Sequence, residues 1–101
     1  HQGIDIAAET GTPVVSAANG QVLQSGWSES YGYIVHIDHG NGLATVYGHN
    51  SSLVVGTGEK VRMGQVIAYA GSTGRSTGPH LHYEIRINNT AVDPWTYLVA
   101  Y

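Results

Sequence analysis

The chain has 101 residues, enough for one domain that buries roughly two-thirds of the surface its unfolded form exposes, and too few for a second. Hydrophobic residues make up 42% and charged residues 11%, with 14 glycines, a mix that argues against disorder and favours a turn-rich β protein. Four Lys+Arg against seven Asp+Glu leave a net charge of −3, so there is no basic patch for nucleic acid or an anionic membrane, and the lack of cysteine excludes thiolate metal sites and disulfides.

Short apolar runs separated by Gly, Asn and Ser predict strands at 4–7, 13–17, 20–27, 33–38, 43–49, 65–70 and 80–87. No run approaches the ~18 apolar residues of a transmembrane helix. Between the fourth and fifth strands, Asn41-Gly42 supplies the tolerance for positive φ that a tight hairpin needs, so these strands should be antiparallel neighbours. On the fifth, Leu43, Thr45, Tyr47 and His49 share one face by the period-2 rule, placing His49 at a strand end or loop start. The loop over 71–79 carries three glycines and leads directly into the last predicted strand, so it is expected to border a site there as a flexible wall. After Asn88-Asn89-Thr90, read as a turn, Asp93-Pro94-Trp95-Thr96-Tyr97-Leu98 reads as a short helical cap. The expected fold is all-β: one domain over 1–101, mainly antiparallel, with a C-terminal helical turn.

The strongest chemical signal is Gly78-Pro79-His80-Leu81-His82-Tyr83-Glu84-Ile85. In a strand, side chains at i and i+2 share a face, so both imidazoles project together while Leu81, Tyr83 and Ile85 pack on the other side. A solvated polar face accounts equally well for an isolated His-x-His. The opening His1-Gln2-Gly3-Ile4-Asp5 and the His49 after Tyr47-Gly48 tilt the balance, because imidazoles and a carboxylate are the donors of a catalytic zinc site with an open position. A helical His-Glu-x-x-His pattern is missing. Spacing alone does not divide His1, Asp5, His49, His80 and His82 between metal binding and proton transfer.

This chain resembles the lysostaphin-type (LytM-like) zinc endopeptidases that cut bacterial peptidoglycan. His1-x-x-x-Asp5 and Gly78-Pro79-His80-Leu81-His82 carry the likeness, together with Gly11-Thr12-Pro13-Val14, Asp38-His39-Gly40-Asn41-Gly42, Tyr47-Gly48-His49, Gly64-Gln65-Val66-Ile67, Gly71-Ser72-Thr73-Gly74 and Asp93-Pro94, in the family's order. The resemblance implies that His1, Asp5 and His82 bind Zn2+, and that His49 and His80 are catalytic, orienting or deprotonating the attacking water and stabilising the oxyanion. It implies peptidoglycan peptides as substrate and an extracellular or cell-envelope location. Asn50 stands where the family often has leucine. A family member also normally carries sequence upstream of His1, so a longer parent protein with a signal or anchor and additional domains is expected. The alternative is a catalytically silent domain of the same fold that binds peptidoglycan or a partner.

The other polar and aromatic residues have plainer readings. His36 and His39 are expected as surface or turn residues, Glu84 as a solvated neighbour of His82 with an acceptor that orients the His82 ring as its other use, and Asp38 as a partner for Arg86 or Lys60. Trp27, Tyr31 and Tyr33 are expected to pack at the core or an edge, with a substrate groove as their other use. Lys60 lies where a turn leads into a strand, which argues against a lipoyl- or biotinyl-carrier hairpin.

Overall fold

A computed structural model describes residues 3–93. Among these residues, nine strands form one antiparallel system: β1 (Ile4–Ala7), β2 (Pro13–Val15), β3 (Gly20–Ser28), β4 (Gly32–Gly40), β5 (Leu43–Leu53), β6 (Lys60–Val61), β7 (Val66–Ala70), β8 (His80–Ile87) and β9 (Thr90–Val92). The main path runs β1-β8-β5-β4-β3-β6, with β7 joining β5 to β2 and β9 flanking β8. No helix occurs among the described residues. The expected helical turn over 93–98 lies, apart from Asp93, outside them.

Alternating apolar residues build the core. Val22, Val35, Ile37, Tyr47, Ile67 and Ala68 are almost fully buried in one cluster, to which Val14, Val55 and Val61 add their side chains. The β4–β5 hairpin turns through Asn41 and Gly42 at φ 54° and 80°, the left-handed pair that Asn-Gly adopts at low cost.

Three features depart from the sequence-based expectations. Two short strands were not expected, β6 with two residues and a β9 of three that begins inside the expected turn, both too brief to carry a periodic signal. The fifth strand runs on to Leu53 rather than ending near His49. His49 instead marks a change of partner within β5: residues 43–48 pair with β8, and residues 50–53 pair with β7. The ladders skip His49 itself, which has φ 63° and donates its backbone N–H to the Tyr31 carbonyl at 2.6 Å. A left-handed histidine in mid-strand breaks the pleat and turns the ring out of the alternating pattern.

Candidate metal and catalytic site

Strand pairing brings the candidates together. β1 lies antiparallel to β8 with Asp5 directly opposite His82, and β8 lies against β5 with His82 opposite Gly48. Gly3 and Gly48 make the close approach possible: a Cβ at Gly3 would stand 2.6 Å from the His82 ring, and one at Gly48 3.0 Å from the Tyr31 ring. The Asp5 carboxylate reaches His82 Nδ1 at 2.9 Å and His80 Nε2 at 3.5 Å. The His49 ring stands 4.9 Å from that of His80 and 5.9 Å from that of His82, edge-on to both. Four of the five expected site residues therefore converge; His1 lies outside the described residues.

Each imidazole is held in a defined orientation. His49 Nδ1 donates to the Thr73 carbonyl at 2.7 Å and His80 Nδ1 donates to the Gly78 carbonyl at 2.8 Å, which leaves both Nε2 atoms as the unprotonated face in the neutral rings. Burial pushes the His49 pKa below its ordinary value, with the neighbouring imidazoles adding to the effect. The loop that supplies both carbonyls is a tied wall. Thr73 Oγ1 donates to the Asn50 carbonyl at 2.5 Å, the Tyr33 N–H donates to Thr73 Oγ1, and the Arg75 N–H donates to the Ser30 carbonyl. Two of the three glycines that suggested flexibility, Gly71 and Gly74, serve close packing instead, against Ser51 and Gly32. Asn50, fully buried, donates to the carbonyls of Tyr33 and Tyr47, so the departure from leucine fastens the strand beyond His49.

His82 is completely buried, and a carboxylate faces each ring nitrogen: Asp5 at Nδ1 and Glu84 Oε2 at Nε2, 2.8 Å away. Burial is the strongest single influence on the ring and opposes its charge, but the hydrogen bonds to Glu84 and Asp5 outweigh it and raise the His82 pKa. With Nε2–H given to Glu84, the neutral ring aims its Nδ1 lone pair at a carboxylate oxygen. Two acceptors at that separation need a cation between them, either a proton or a metal ion. Asp5 and His82 thus offer two donors of the kinds zinc takes, with Glu84 behind the His82 ring; among the described residues no third donor joins them to complete a metal-holding group, and the third expected one, His1, lies outside those residues.

For Glu84 the structure favours the acceptor behind His82 over the solvated neighbour. Glu84 is 3% exposed rather than solvated, accepting also from the Tyr31 hydroxyl at 2.5 Å and from Arg86 Nε at 3.0 Å, with Arg86 Nη2 in ion-pair contact at 3.0 Å. Burial favours its neutral form, yet the hydrogen bonds from His82, Tyr31 and Arg86 together hold its carboxyl down at about 2. The period-2 rule already placed Glu84 beside His82; what it lacked was Tyr31, which folds over this face with its ring 5.4 Å from that of His82. Tyr31 is thus a site residue, whereas Trp27 and Tyr33 pack edge to face at the surface, their rings 5.2 Å apart. Arg86 is engaged by Glu84 and not by Asp38, which instead accepts from the Gly40 N–H. His39 bridges the Asn19 carbonyl and Thr45, and neither it nor His36 reaches the site.

Residues 1–94 match Peptidase family M23. Among curated relatives, the DD-carboxypeptidase/endopeptidase Mpg of Neisseria meningitidis is 52% identical over 94 residues, covering 93% of this chain and 22% of its own length. The murein hydrolase activator EnvC of Escherichia coli is 41% identical over 97 residues, covering 96% and 23%. The chain therefore spans about a fifth of the length of these relatives. In structure it is similar to the catalytic domain of lysostaphin from Staphylococcus simulans, with TM-score 0.92, 36% identity and coverage of 98% of this chain and 79% of that one. It is also similar to a zinc-containing peptidase from Vibrio cholerae, with TM-score 0.89, 41% identity and coverage of 92% and 29%.

Proposed function

The chain belongs to peptidase family M23, and from that premise we propose that it is a zinc endopeptidase domain that hydrolyses peptide bonds in the cross-links or stem peptides of bacterial peptidoglycan. The observation that carries this reading is the convergence of Asp5, His49, His80 and His82, with the tautomer of each histidine set by a hydrogen bond from its other ring nitrogen. In this reading His1, Asp5 and His82 hold the zinc. Bound zinc supplies Lewis acidity and lowers the pKa of a water towards neutrality.

The chain's own residues account for the proton movements. His49 Nε2 accepts a proton from the attacking water, because Nδ1–H is committed to Thr73 and the low pKa keeps the ring neutral at pH 7. His80 faces Asp5 through Nε2 and, once protonated there, donates to the developing oxyanion or the departing amine. Glu84 keeps the Nε2 proton of His82 in place and so holds Nδ1 in its ligating form. The Asp5 side chain is about half exposed, at 54%, so this carboxylate can be reached from solvent.

Activity on the wall places the domain outside the cytoplasm, in the cell envelope or beyond it, as part of a longer protein. The likeness to a hydrolase activator favours a second reading, a domain of the same fold that regulates other hydrolases. Incubation of the zinc-loaded protein with purified peptidoglycan, followed by mass spectrometry of released peptides, decides between them. Release that is lost in His80→Ala supports the endopeptidase; no release from any wall type, with fold and bound zinc verified, supports the regulator.

A further inference from the structure

Beside the imidazole cluster lies a cavity of about 350 Å³ lined by Ser30, Tyr31, His49 and Arg75. Its two walls, the β3–β4 turn and the loop before β8, are locked together. The Arg75 N–H donates to the Ser30 carbonyl at 3.1 Å. Gly74 packs on Gly32 so closely that a Cβ on Gly74 would stand 2.3 Å from the Gly32 nitrogen, and both glycines have positive φ, 73° and 67°. The backbone of Arg75 is therefore placed by the fold, although its side chain is exposed.

Charge singles this residue out. The chain has four Lys+Arg residues. Lys60 and Arg62 belong to β6 and its end, at the opposite edge of the sheet from β1 and β8. Arg86 is bound to Glu84. Among the described residues, Arg75 makes no ion pair, and it is the one Lys or Arg residue lining the cavity beside His49. The Tyr31 hydroxyl is already given to Glu84, so Arg75 is also the wall's fixed-charge donor. A protein of net charge −3 repels an anionic peptide at long range and needs a local cation to hold one.

We infer that Arg75 forms a carboxylate subsite beside His49, which selects peptides carrying a free carboxylate next to the cut bond over uncharged glycine bridges. This rests on the endopeptidase reading only for the position of the cut bond. A guanidinium is always charged and its forked donors match a carboxylate.

The test uses two synthetic cross-linked wall peptides that differ only in a free carboxylate or a carboxamide on the diaminopimelate residue flanking the link. Calorimetric binding is measured in the zinc-loaded His80→Ala protein, alone and combined with Arg75→Ala or Arg75→Lys. The expected result is a preference for the free acid of about three- to fivefold, the worth of an exposed ion pair, which is lost in Arg75→Ala, partly kept in Arg75→Lys and weakened by salt. Equal binding of the two peptides, a preference that survives Arg75→Ala, or no binding of either peptide overturns the assignment. Cleavage by the protein with His80 intact is scored separately. An Arg75-dependent preference without cleavage upholds the subsite and rejects the endopeptidase; cleavage of both peptides without preference does the reverse.

Discussion

Replacing Glu84 by glutamine removes one charge and almost no volume from behind the proposed metal ligand. The wild-type carboxylate accepts from His82, Tyr31 and Arg86 while almost fully buried, and its pKa of about 2 against an ordinary 4.5 corresponds to about 3 kcal/mol of preference for the charged form. A carboxamide has one accepting oxygen and turns an NH2 group towards donors, so Arg86 or His82 loses its partner. The expected loss in metal-free protein is about 2–3 kcal/mol, equivalent to roughly 10–20 °C in Tm for a domain of this size. Because the folded-state pKa is depressed, this stabilisation is present above pH 4.5 and disappears as pH falls through about 2, so the gap between wild type and Glu84→Gln should close in acid. Zinc affinity should fall about 10- to 100-fold, because His82 loses the group that fixes its Nε2 proton. Urea unfolding across pH gives the first quantity and competition with a fluorescent chelator the second. Unchanged unfolding together with unchanged zinc affinity would refute the role assigned to this network.

Other consequences are as specific. Gly74→Ala drives a Cβ against the Gly32 backbone at positive φ, and should cost about 1–3 kcal/mol and reduce peptide release at least tenfold while zinc binding, measured by elemental analysis, persists. Asp5→Ala should abolish stoichiometric zinc while circular dichroism keeps its β signature, since the Asp5 side chain is half exposed. Chelation should stop peptide release and added zinc should restore it. Tyr47 is buried with its hydroxyl between the Ala17 N–H and Thr45, and burial raises its pKa above 10. Its contribution is therefore full below pH 10 and lost as pH rises through the folded value, so the roughly 1 kcal/mol expected from comparison with Tyr47→Phe should shrink only in strong alkali.

Local pattern carried much of the fold. The alternation over 80–87 coincides with β8, residues 4–7 with β1, and Asn41-Gly42 with the β4–β5 turn, because each depends on neighbours in sequence. Burial of the His82–Glu84 face was illegible for the opposite reason: Tyr31, which covers it, is 53 residues away from Glu84 in the chain. Turn residues also masked the continuity of β5, since Gly48-His49 reads as a strand end although the chain passes through a left-handed His49 and pairs again. The loop over 71–79 looked mobile by composition, yet Gly71 and Gly74 are small so that their backbones can touch those of Ser51 and Gly32.

The most direct test of the endopeptidase claim is mass spectrometry of a defined cross-linked wall peptide treated with the zinc-loaded chain in heavy-oxygen water, beside His80→Ala and chelated controls. Hydrolysis by this site predicts one new amino terminus and one new carboxyl terminus bearing a single heavy oxygen, both absent from the controls. An intact cross-link, or new termini that persist in His80→Ala, would contradict it.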